Sequence, residues 1–135
     1  MGKTAAILIA RLIFTASFTM AASFKFVDMH ATAGYIASAG FPVPLALAWI
    51  AAFFETAMAL AFLTGAFFSE AALLASVYLL FLAFTFHGPS HWSSNQMEFG
   101  FFVDHFTYIA GLLFAAVHGP GDKLAIRKKV VQRQL

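Results

Sequence analysis

The chain has 135 residues, 61% of them hydrophobic and 10% charged, with a formal net charge of +2. That length suits a single domain, and so few charges cannot clothe a water-facing surface, where about a quarter of residues are normally charged. The lack of cysteine excludes disulfides, thiol relays and thiolate ligands, so redox chemistry here requires a cofactor or a partner.

Four stretches are apolar enough to cross a hydrocarbon core of about 30 Å, which takes roughly 20 helical residues. The first covers 5–24. Arg11 interrupts it, which argues against a cleaved signal peptide despite Lys3 and the small residues Ala21, Ala22 and Ser23. Residues 25–44 follow, with Asp28, His30, Gly34, Gly40, Pro42 and Pro44, and read as a structured loop or a short interfacial helix ended by the prolines.

The second span covers 45–64 and carries Glu55 at mid-length. A tight turn around 65–70 leads to the third span, 71–87. A polar connection, Gly88-Pro89-Ser90-His91-Trp92-Ser93-Ser94-Asn95-Gln96, forms a cap before the fourth span, 99–118. Trp92 and Tyr35 suit the membrane interface. Neither 45–54 nor 71–86 has the polar face that a helix of a soluble bundle needs.

Five of the eight Lys and Arg lie between Lys123 and Arg133. With Lys3 they fall on one side of the membrane and only Lys25 on the other, so both termini are expected to be cytoplasmic. The fold expected is all-α: an integral membrane four-helix bundle over 1–122 and a basic cytoplasmic tail over 123–135. The tail suits a lipid surface rather than nucleic acid.

Ionisable groups inside a span cost about 2.5–3.5 kcal/mol on insertion scales. At a rise of about 1.5 Å per residue, Arg11 sits roughly 9 Å from the cytoplasmic edge, Glu55 roughly 15 Å from the outer edge, and Asp104 with His105 roughly 8 Å below it. The long Arg side chain spans such an offset, so an Arg11–Glu55 contact is expected. Asp104 and His105 point about 100° apart. Asp104 shares a stripe with Tyr108 and Gly111; His105 shares one with Ile109 and Leu112. Tyr78 offers a hydroxyl on the third span. Asp28, His30, His87, His91 and His105 gather toward the outer side, a nitrogen and oxygen donor set that would suit zinc, copper or iron. Gly88-Pro89 breaks the helix that would align His87 with His91.

The order and spacing of several elements resemble the DoxX family of four-span membrane proteins over most of the chain. They are Ala10-Arg11-Leu12, Ser23-Phe24-Lys25-Phe26, Gly34-Tyr35-Ile36-Ala37-Ser38-Ala39-Gly40-Phe41-Pro42, Phe54-Glu55-Thr56, Phe86-His87 and Ile109-Ala110-Gly111-Leu112-Leu113. The resemblance implies a four-helix bundle, in a family that includes the membrane subunit of a thiosulfate:quinone oxidoreductase. It places Arg11, Lys25, Glu55 and His87 at recurrent polar positions. Asp104-His105 stands where many relatives have Lys-Asn, which reverses the local charge.

The expected function is a redox-associated subunit of the bacterial inner membrane that binds a quinone or a similar lipophilic ligand. Glu55, His105 and Asp104 are the candidate catalytic residues. Arg11, Phe54, Tyr78, His87 and Tyr108 are the candidate ligand contacts, and no metal ligand is assigned. A flat ring needs an aromatic slot, donors to its carbonyls and a proton-passing group. Electrons would come from a protein partner, and homo-oligomerisation is an alternative mode of association. The competing readings are a noncatalytic scaffold for a larger complex and metal or haem handling by the outer histidines.

Overall fold

The computed structural model describes residues 2–126; Arg127, Lys128, Lys129 and Arg133 of the basic tail lie outside them. The helices are α1 (Gly2–Val27), α2 (Met29–Ser38), α3 (Pro44–Thr64), α4 (Phe68–His87) and α5 (Gln96–His118), with a one-turn 3₁₀ helix at Pro89–His91. Among the described residues there is no strand. α1, α3, α4 and α5 are each long and apolar enough to cross a membrane, so the chain is a multi-pass membrane protein. It divides into two compact units. Unit 1 holds α1, α2, α3 and the segment from Pro120; unit 2 holds α4, the 3₁₀ turn and α5.

In unit 1, Asp28 both ends α1 and starts α2. Its N–H donates to the Phe24 carbonyl at 3.2 Å, while its Oδ1 accepts from the Ala31 N–H at 2.8 Å, an N-cap that satisfies one orphan donor of the new helix. The stretch read from sequence as a loop or short interfacial helix is thus mostly helix. It stops at Gly40, whose φ of 84° a side chain would resist. Pro44 then opens α3 at a position where its missing N–H costs nothing.

α1 and α3 run antiparallel. Phe14 and Phe18 near the middle of α1 each lie 5.5 Å from Phe62 near the end of α3, while Phe26 near the end of α1 lies 6.0 Å from Trp49 near the start of α3. The buried stripe of α3 is Ala48, Ala52, Glu55, Ala59 and Phe62, spaced to share one face. Alanine at three of these positions permits close helix approach, which drives association where no hydrophobic effect operates.

Unit 2 is a helical hairpin. α4 buries Ala71, Ala72, Ala75, Ser76 and Ala83, and α5 buries Leu112 completely. Gly88 makes the turn after α4 possible: a Cβ there would lie 2.4 Å from the Phe84 carbonyl oxygen, a backbone atom that cannot yield. Asn95 caps α5, its side chain accepting from the Met97 N–H at 3.0 Å.

Candidate functional site

Among the described residues, three places bring polar groups together at close range, two in unit 1 and one in unit 2. The first centres on Arg11, which is 2% exposed. Nε donates to the Phe62 carbonyl at 3.2 Å and Nη2 to those of Leu63 at 2.7 Å and Leu124 at 3.0 Å. Nη1 donates to Pro120 at 3.2 Å and Lys123 at 2.8 Å. A guanidinium has five N–H groups, and these bonds use them all. The last four carbonyls of α3 have no partner within the helix. Here Ala61 accepts from Gly65 N–H, Phe62 and Leu63 from Arg11, and Thr64 from Ile126 N–H at 2.8 Å. The cation also sits at the negative end of the α3 dipole.

The expected Arg11–Glu55 contact is therefore a misreading. Among the described residues Arg11 bonds only backbone carbonyls, and Glu55 has a different cation. Lys25 Nζ lies 2.9 Å from Glu55 Oε1 and 2.8 Å from Oε2, with the Glu55 side chain 3% exposed and that of Lys25 20%. The physical reason is reach. Arg11 sits at the level where α3 ends and is drawn to its carbonyls, whereas the Lys25 stem runs back along α1 to the carboxylate on the facing stripe.

The third place is the open end of the unit 2 hairpin. His87, at the last turn of α4, has Nδ1 2.6 Å from Glu98 Oε2 in the first turn of α5. Its carbonyl accepts from Trp92 Nε1–H at 2.8 Å, which folds the connecting loop over the pair. The ring centroids of His87 and His105 lie 5.1 Å apart, tilted by 41°. His105 Nδ1 is 2.7 Å from the Phe101 carbonyl. A carbonyl oxygen can only accept, so Nδ1 of His105 donates, and in the neutral imidazole Nε2 keeps its lone pair. Phe101 lies 5.4 Å from His87, and Trp92 packs at 5.0 Å on Phe99 and 5.3 Å on Phe102. Phe84 and Phe106 extend the aromatic wall around Phe102, at 5.2 and 4.9 Å.

Of the residues expected from sequence, His87 and His105 are thus brought together. Asp104 is exposed, as is Tyr108 at 48%, and as the helical neighbour of His105 it points about 100° away from it. Tyr78 belongs to the same unit on α4 and is partly buried, while Arg11, Phe54 and Glu55 belong to unit 1. Glu98 was missed. The signal for it was present, because Asn95-Gln96-Met97-Glu98 has the spacing of a capping box, which points a carboxylate at the helix start. His30 and His91 are exposed, and among the described residues no three His, Asp or Glu side chains are placed to hold a metal ion together.

The DoxX family model matches residues 6–88, well over half of the chain. No curated protein and no solved structure matches it.

Proposed function

The chain belongs to the DoxX family, and from that premise we propose that it is a redox-associated membrane subunit that holds a quinone headgroup at the His87–Glu98–His105 cluster of unit 2. The observation that carries the reading is the pairing of a carboxylate-oriented imidazole with a second imidazole inside an aromatic wall. A bound quinone would supply a two-electron, two-proton couple. Glu98 orients the His87 ring through Nδ1, as a carboxylate does for a catalytic imidazole. His105, pinned through Nδ1, fixes the ring edge that meets the headgroup. The clustered Phe rings and Trp92 supply the flat apolar slot.

Electrons come from a partner protein in this reading. The address proposed is the bacterial inner membrane with both termini cytoplasmic. The antiparallel α1 and α3 support a shared side for the two ends. Arg11 also helps: it binds Pro120 and Lys123 of the segment after α5, and a Cβ at Gly121 would lie 3.1 Å from Ile7 of α1.

Lipid extraction from protein purified in its own membrane tests the reading. Wild type should carry quinone close to one per chain, and His87→Phe and His105→Phe should lose most of it while remaining folded. A wild-type protein that carries none, even before detergent washing, favours a noncatalytic scaffold instead.

A further inference from the structure

We infer that this site selects the reduced ligand, a quinol or related phenol that offers O–H donors, over the oxidised quinone. The inference rests on the proposal that the His87–Glu98–His105 cluster is the headgroup site, and it follows from which ring atoms are already committed. His105 Nδ1 donates to the Phe101 carbonyl at 2.7 Å, and in the neutral ring, which has one proton to give, that leaves Nε2 bare. His87 Nδ1 faces the Glu98 carboxylate at 2.6 Å, and donation of the neutral ring's one proton to that carboxylate leaves its Nε2 bare as well. Two imidazoles 5.1 Å apart therefore present two acceptors and no ring donor to a newcomer. A quinone carbonyl is itself an acceptor and gains no ring hydrogen bond there, while a phenolic hydroxyl donates to either nitrogen.

The same bare nitrogens would suit a metal ion, whose histidine ligands commonly donate their other N–H to a carboxylate or carbonyl. The donor count decides against it. Zinc sites take at least three protein ligands, and among the described residues no trio is placed to hold an ion, the Glu98 carboxylate being turned to His87 Nδ1. A hydroxyl needs only one acceptor. Glu98 then has a definite part: it is a positioning residue that holds His87 with Nε2 outward, where it accepts the hydrogen bond of the hydroxyl.

The probes for the test are a decyl-benzoquinone and its reduced form, bound at equilibrium to full-length protein in nanodiscs, with empty nanodiscs subtracted for partition. One neutral hydrogen bond is worth about tenfold in affinity, so the reduced form should bind about tenfold tighter or more. Nitrogen NMR of histidine-labelled protein gives a second readout. The Nε2 signals of His87 and His105, identified by their loss in the His→Phe variants, should show unprotonated nitrogens without ligand and should shift with the reduced probe. Equal binding of both forms, or tighter binding of the oxidised form, overturns the selectivity and leaves the headgroup site standing. Failure of both forms to bind, or binding unchanged in His87→Phe and His105→Phe, overturns the site and the selectivity together. Nε2 signals that shift with zinc alone and not with the reduced probe overturn both in favour of a metal.

Discussion

Glu55 is held by Lys25, 30 residues away on the facing helix, whose Nζ stands within 2.9 Å of both carboxylate oxygens. Removal of one partner from a buried pair typically costs about 3–5 kcal/mol, because the other charge is stranded. Lys25→Met should therefore destabilise unit 1 by about 3 kcal/mol, allowing for the partial exposure of the lysine. Lys25→Met with Glu55→Leu should recover most of that loss. Denaturant unfolding of the single and double variants in detergent checks this, and a double variant as unstable as the sum of the singles would contradict the pairing.

Arg11 predicts a different pattern. Five charge-assisted bonds tie it to carbonyls of α3 and of the segment from Pro120 to Leu124. Arg11→Met should cost at least about 3 kcal/mol, and Arg11→Lys should recover little, since three donors on one nitrogen cannot serve both groups of carbonyls. Its effect should add to that of Glu55→Gln within about 0.5 kcal/mol, as for sites that share no partner. Thermal unfolding of the two singles and the double gives the coupling energy.

Gly65 closes α3 with φ at 73°, and a Cβ there would lie 2.9 Å from the Ala125 Cβ and 3.0 Å from the Pro120 Cβ. Gly65→Ala should cost about 2–3 kcal/mol, from the left-handed backbone and the contact together. Gly40 has a similar φ of 84° but open space around it. Gly40→Ala should therefore cost only about 1 kcal/mol, and the difference between the two midpoints measures the docking of residues 120–125 against the end of α3.

Glu98→Gln keeps the shape of the side chain but removes the charge to which His87 Nδ1–H donates. Quinone-type ligand should bind about tenfold more weakly to it, and Asp104→Asn should bind as wild type does, because Asp104 lies on the exposed side of α5. Ligand titration of the two variants in parallel compares them directly.

The apolar helices were legible because a membrane span needs length and hydropathy, both of which are written along the chain. The helix ends differ from the sequence reading by a few residues, for example Pro44 against 45 and Gln96 against 99. Side-chain partners were harder to read. Arg11 was matched to the only midspan carboxylate in reach, yet it chose backbone carbonyls, which every helix end offers and no residue letter records. Lys25 was placed on the outer side as a topology marker, and its pairing depends on how α1 leans on α3. At the hairpin end, His87 and His105 were both singled out. Their meeting, and the role of Glu98, required the 3₁₀ turn and Trp92 to bring the first turn of α5 against the last turn of α4.

Photolabelling with an azido-quinone followed by peptide mapping tests the headgroup site most directly. The account predicts adducts on the peptides that carry His87–Trp92 and Phe99–His105, reduced by excess unlabelled quinol and lost in His87→Phe. Adducts confined to residues 2–67, or label that excess quinol does not displace, would contradict it.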